Sequence, residues 1–202
     1  MRAPIALRDT AHRVLDHAGY GREQWSRVVM RRESRRLVDD LEPSRLNALE
    51  ISGTFWADLP FKSYESACYP DYDVCAAALP RSFDLIIAEQ VFEHLLWPYR
   101  AATHVHQMLT PGGHFLVSTP FLLRIHHEPV DCTRWTETGL RHFLAECGFP
   151  LADIKTGSWG NRACVKANFG WWARYHHRLH SLRNEPNFPV HVWALARKAA
   201  AT

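Results

Sequence analysis

The chain has 202 residues, 47% of them hydrophobic and 22% charged, with a formal net charge of +3; these values exclude a disordered or fibrous chain and suit one α/β domain with its own core. Its five cysteines are scattered, odd in number and without a CxxC pair, which argues against a disulfide framework or a thiolate zinc centre and fits a reducing cytoplasm. No apolar run approaches the roughly 20 residues that cross a bilayer, so neither a membrane span nor a signal segment is expected.

In chain order, residues 1–43 read as a helical cap. Trp25, Val28, Val29, Leu37, Val38 and Leu41 recur at helical spacing among arginines, Gly19 to Gly21 divide the region into two helices, and Pro43 ends it. From Arg45 short apolar runs alternate with helices, with strands predicted at 46–51, 64–69, 84–88, 114–119, 151–157 and 190–196. Such alternation implies a parallel sheet covered on both faces. Tyr99, Ala102, Val105 and Leu109 make one helical stripe; Leu140, Phe143, Leu144 and Cys147 make another, which stops at Gly148. The core is thus expected over 44–158, followed by an aromatic and basic helical insert over 159–189 and a last strand with its tail over 190–202, all in one domain.

Chemistry concentrates at the predicted strand ends. Ala48-Leu49-Glu50-Ile51-Ser52-Gly53 is an apolar strand closing on an acid and a glycine, and a parallel strand delivers its last residues to the crevice where α/β proteins bind ligands. The run from Phe83 to Leu95 carries a buried strand straight into Glu89, Gln90, Glu93 and His94, and Leu109 to Pro120 passes from a helix through a Pro-Gly-Gly turn into another strand. Glu93 and His94 read equally as a helix N-terminus with a favourable acid. Beyond the next strand lies His126-His127-Glu128-Pro129-Val130-Asp131-Cys132-Thr133-Arg134-Trp135-Thr136. Thr136 with Gly139 suits a helix N-cap and Arg134 can pair with Asp131; His126 or His127 could face an acceptor and take its proton. His126, His127 and Asp131 lack a known metal-ligand spacing, so no metal is expected.

The succession ALEISG, FDLIIAEQVFEHL and LTPGGHFLVSTPF, covering about 45–149, resembles the ordered motifs of class I S-adenosylmethionine-dependent methyltransferases, especially the methyltransferase family 11-like group. The resemblance implies a Rossmann-like, doubly wound, mostly parallel seven-stranded sheet and S-adenosylmethionine as cofactor. It places Glu50, Ser52 and Gly53 beneath the methionine end, and Glu89, Gln90 and Val91 along the cofactor and toward the acceptor. His94 falls beside that site. Ser52 stands where glycine is usual, Thr54-Phe55-Trp56 replaces the rest of the glycine turn, and the ribose-binding acid falls on Asp71 in one alignment or is replaced by Cys68 in another. No acid faces the adenine amine, which leaves backbone groups around Ala76 and apolar contact with Leu79.

Methyl transfer then calls for a base only if the acceptor loses its proton early, with His126, His127 and His94 the candidates in that order. Trp25, Trp159 and Trp171, with Asp131 and Arg134, are expected around the acceptor, although the aromatics serve equally as a packing layer or a contact between two copies of the chain. The expected acceptor is a small molecule: a natural product, sugar or other metabolite. Two other readings stand beside it. A partner subunit that has lost cofactor affinity would explain the missing glycines. A nucleic-acid methyltransferase would explain the stretch from Lys155 to Arg183, with six Lys or Arg, three His and no acid, but AEQV stands where amino-directed DNA enzymes carry an Asn-Pro-Pro-Tyr-type tetrapeptide.

Overall fold

The computed structural model describes residues 19–201. β1 (Tyr20–Gln24) and a 3-10 turn, Trp25–Arg27, lead into α1 (Val28–Asp39). The central sheet takes β2 (Asn47–Ile51), β3 (Ser63–Ala67), β4 (Phe83–Glu89), β5 (Leu109–Pro120), β6 (Ile154–Trp159) and β8 (His191–Arg197), with α2 (Pro98–Met108) and α3 (Glu137–Glu146) in between. α4 (Arg162–Ala167) and β7 (Arg174–His176) precede the last strand.

The strand order is β3-β2-β4-β5-β8-β6, with β8 antiparallel to both neighbours and the other adjacent pairs parallel. This is the mostly parallel, Rossmann-like α/β sheet that the sequence predicts, with six strands rather than seven. Central strands of such a sheet are buried on both faces and so read as unbroken apolar runs: Leu85, Ile86, Ile87 and Ala88 of β4 are all fully buried. On one face, Leu49, Ile86, Ala88, Phe115 and Val117 pack under Ala102, Val105 and Met108 of α2 and Leu140, Phe143 and Leu144 of α3. On the other, Ala48, Leu85, Ile87, Leu116 and Leu195 pack under Val38 of α1 and Trp56. Thr136 caps α3 as expected, its Oγ1 accepting from Gly139 N at 3.1 Å.

Four local readings change. Tyr20–Gln24, read as helix from the sequence, is a strand paired antiparallel with β7, Tyr20 opposite His176, while the first of the two helices expected on either side of Gly19 to Gly21 lies outside the described residues. The insert over 159–189 accordingly holds one short helix and a strand rather than helices alone. The connections on either side of β3 carry turns in place of helices; Trp56, fully buried, fills the first where a crossover helix would lie. The Pro-Gly-Gly stretch is a bulge inside β5, not a turn before it: Phe83 pairs with Leu109 and Leu85 with His114, and Gly112 supplies the left-handed residue (φ 80°) that the extra length requires.

Candidate functional site

The chain leaves β2 toward β3 on one side and passes from β4 to β5 on the other. The sheet therefore switches direction between β2 and β4, and the crevice beyond their carboxyl ends is where such sheets take ligands. Glu50, next to last in β2, is buried; its carboxylate accepts hydrogen bonds from Phe55 N (3.0 Å), Trp56 N (2.9 Å) and Tyr64 Oη (2.6 Å). Burial, and then the bond to Glu50, push the Tyr64 phenol up, so it stays a donor. Glu50 thus spends its charge on shaping the loop after β2. A Cβ on Gly53 would stand 2.3 Å from Glu50 Oε1, so any larger residue there must displace the carboxylate or the loop. Ser52 keeps the left-handed backbone (φ 60°) that a glycine would adopt more readily. Trp56 lies against the α1 face of the sheet, with Ala48 and Leu85 among its neighbours.

At the neighbouring tip, Gln90 is also left-handed (φ 58°); its N donates to Ser118 O (2.9 Å) and its Nε2 to Ser118 Oγ (3.3 Å). Arg31 of α1 donates to Glu89 Oε1 at 2.9 Å and lays its guanidinium 3.9 Å from the centre of the Phe55 ring, tying α1, β4 and the first loop together. Glu89 Oε2 is buried without a hydrogen-bond partner. Such an acceptor calls for a donor from a ligand, and the amine and hydroxyls of S-adenosylmethionine are donors of that kind, so the residues at the two tips fit the cofactor. Val91 follows, nearly buried. Beyond β3, Asp71 is exposed. Ala76 is exposed as well, with its N–H already bonded to Asp73 O (2.9 Å), and Leu79 packs half-buried against the core while its N–H meets Met108 Sδ (3.1 Å). Neither backbone donor is therefore left for adenine, and only carbonyls and apolar surface remain.

A cavity of ≈ 250 Å³ opens at the tips of β4 and β5, its wall including Gln90, His94, Pro120, His126 and His191. His94 Nδ1 meets the carbonyl of Val130, an acceptor, so Nδ1 carries the hydrogen and Nε2 keeps its lone pair. The ring of His126 lies edge-on to His94, centroids 4.9 Å apart, and its Nδ1 stands 3.1 Å from Asp131 Oδ2. Asp131 also accepts from His126 N (3.0 Å) and, bidentately, from the Arg134 guanidinium. Burial would raise the Asp131 carboxyl, but these Arg134 bonds bring it below its ordinary range. Burial lowers His126, with Asp131 pulling the other way. Glu93 is fully buried and pushed up to about 8, chiefly by burial. His191, equally buried, has no hydrogen-bond partner on either ring nitrogen and is pushed down to about 3 by burial and the nearby Arg27. Arg27 itself is lowered by burial, its Nε unpaired.

His94, His126 and Gln90 thus come together, with Asp131 and Arg134 behind His126. The other sequence candidates do not meet there. His127 is exposed and off the cavity wall. Trp25 and Trp159 sit in a second core cluster with Met30, Val190 and Trp193, their indole N–H groups donating to Ser181 O (3.2 Å) and Leu182 O (2.9 Å). Trp171 is 81% exposed; its neighbour Trp172 lines the cavity instead, 5.5 Å from His126 and 4.3 Å from the Arg124 guanidinium. Sequence reasoning missed Gln24, Arg27 and His191, of which only His191 left a signal, a histidine heading an otherwise apolar strand, HVWALA; Trp172 belongs to the aromatic insert expected near the acceptor.

A sequence model of the methyltransferase-domain family matches residues 3–160. No curated protein sequence matches the chain. Among solved structures it is similar to an S-adenosylmethionine-dependent methyltransferase from Mesorhizobium loti, at 19% identity and TM-score 0.52 over 78% of this chain and 93% of that one. It is also similar to the [4+2]-cyclase SpnF (16% identity, TM-score 0.58, 91% and 87% of the two chains). A third is the N-methyltransferase NodS from Bradyrhizobium japonicum, solved with S-adenosylhomocysteine (15% identity, TM-score 0.52, 83% and 86%). At such identities the structural likeness is one of fold.

Proposed function

This chain belongs to the family of class I S-adenosylmethionine-dependent methyltransferase domains, and from that premise we propose that its acceptor is a small molecule, such as a sugar, natural product or other metabolite, seated in the cavity beside Gln90. The observation that carries this reading is the cavity itself. Its ≈ 250 Å³ lie at the tips of β4 and β5, next to the crevice between β2 and β4. That volume falls below the ~300–1,000 Å³ of sites for drug-sized ligands, which favours a compact acceptor over a nucleic acid or a peptide.

The cofactor, when bound, supplies an electrophilic methyl carbon on its sulfonium, so the protein's work is alignment and exclusion of water. Glu50 holds the loop of Ser52 and Gly53 in shape through Phe55 N and Trp56 N. Glu89 Oε2 would accept from the amino group and Asp71 from a ribose hydroxyl, and the Ala76 and Leu79 segment would offer the base an apolar wall. In the cavity, Gln24 and Arg27 bond polar groups of the acceptor and Trp172 closes one side. His126, with Nδ1 turned to Asp131, has Nε2 left to take a proton from the acceptor; His94 is similarly poised.

Calorimetry with S-adenosylhomocysteine tests the cofactor site, and absence of binding at millimolar concentration would refute it. Screening small hydroxylated and amino compounds for release of S-adenosylhomocysteine from S-adenosylmethionine tests the acceptor class. Activity on RNA or DNA, with steep salt dependence, in place of any small acceptor would overturn that part.

A further inference from the structure

We infer that Glu93, His94 and His126 form a binding site for one divalent transition-metal ion, of the kind Zn²⁺ represents, in the wall of the cavity. One potential ligand atom from each of the three lies within 4.8 Å of the others. His94 Nε2 and Glu93 Oε1 are 3.6 Å apart, close to the roughly 3.4 Å edge of a tetrahedron with ordinary zinc bonds. Glu93 has no exposed surface, and neither carboxylate oxygen has a hydrogen-bond partner. A buried carboxylate in that condition wants a cation or a proton.

His94 is held from behind in the manner of a metal ligand, which passes its second nitrogen to a carbonyl or a carboxylate. His94 Nδ1 meets the Val130 carbonyl, whereas His126 Nδ1 lies 3.1 Å from Asp131 Oδ2, itself fixed by Arg134, without a hydrogen bond to it. The two ligand-bearing segments are also joined through the backbone, since Cys132 N and Thr133 N donate to Glu93 O at 2.7 and 3.3 Å. Of the nearby cations, Arg134 is neutralised by Asp131, and Arg27 sits among Glu23 and Glu89 as well as Glu93. Two nitrogens and one oxygen suit zinc and its first-row neighbours better than calcium or magnesium. Asp131, grouped with His126 and His127 in sequence, sits behind His126 in the fold.

Three protein ligands leave a tetrahedral position open, and His94 and His126 both line the cavity, so that position faces the acceptor. An ion there would acidify a bound hydroxyl or amine and replace His126 as the means of activating it. This consequence rests on the acceptor-site reading; the binding of the ion does not.

Protein stripped with EDTA and titrated with Co²⁺, followed by visible absorption and by metal content after gel filtration, tests the inference. The expected result is one ion per chain with the intense bands of a tetrahedral or five-coordinate site. Glu93→Gln and His126→Gln should abolish the bands, Asp131→Asn should weaken binding about tenfold, and His142→Gln, on the exposed side of α3, should leave it unchanged. Failure of the wild-type chain to hold Co²⁺ or Zn²⁺ overturns the inference, as does binding that survives in both His94→Gln and His126→Gln. Should a variant fail to fold, by circular dichroism, the stoichiometry and bands of the wild-type protein decide. S-adenosylhomocysteine binding measured on the stripped protein separates the two proposals, since cofactor binding without cobalt bands refutes the ion alone.

Discussion

Gly53 and Glu89 divide the labour of the cofactor crevice, and each can be tested singly. With Gly53→Ala the new methyl would meet Glu50 Oε1 at 2.3 Å, so the carboxylate or the loop must shift, at the expense of the hydrogen bonds from Phe55 N and Trp56 N. Losing charge-assisted bonds of this kind costs about 1.5–3 kcal/mol each. The variant should unfold at clearly lower urea and bind S-adenosylhomocysteine poorly, both readable from denaturation curves and calorimetry. Glu89→Gln leaves the loop alone but gives up the acceptor at Oε2 and weakens the Arg31 pair. Its stability should change little, while product affinity falls about tenfold, the equivalent of ~1.4 kcal/mol; unchanged affinity would remove Glu89 from the cofactor site. Glu50, Glu89 and Gln90 were legible in the sequence because each ends an apolar strand. Arg27 and His191 were not, since the two lie far apart in the chain and only the fold brings them to one cavity wall.

Among the elements, the connection from β2 to β3 is the most economical, with a single Trp56 where a helix would cover the sheet. Removing it as Trp56→Ala should cost about 3–5 kcal/mol, the range for large aromatic truncations in a core, measured as a fall in the urea midpoint. Cofactor affinity of the molecules that remain folded should change much less, because the ring lies on the α1 face of the sheet. β4 and β8 could be read from the sequence because burial on both faces leaves an apolar run, and β2 and β5 because each has an apolar stretch, Ala48-Leu49 and Phe115-Leu116-Val117, at its centre. β1 and β7, YGREQ and RYH, carry no such pattern; they exist only because the segments pair with each other. The absent crossover helices have the same cause in reverse: the alternation of strands implied them, but FWADLPF carries no helical stripe.

At the scale of the whole molecule, polar groups collected at the strand tips must cost stability, and His191 makes that cost measurable through pH. Its imidazole is fully buried, faces Arg27, Arg31 and Arg134, and is pushed from 6.5 down to about 3. Above pH 6.5 the imidazole is neutral in both folded and unfolded chains and contributes nothing to the pH dependence. Between 6.5 and 3 the unfolded chain takes up a proton that the folded chain refuses, so falling pH favours unfolding by up to about 1.4 kcal/mol per pH unit from this residue. His191→Leu, which removes the ring without leaving a buried nitrogen unpaired, should be about as stable as the parent at pH 7 and more stable than it at pH 5. The comparison of urea denaturation at the two pH values isolates His191, because groups that titrate alike in parent and variant cancel in the difference. Parallel losses in the two proteins on acidification would mean that the histidine is protonated in the folded state, and that the cavity is wetter than its walls imply.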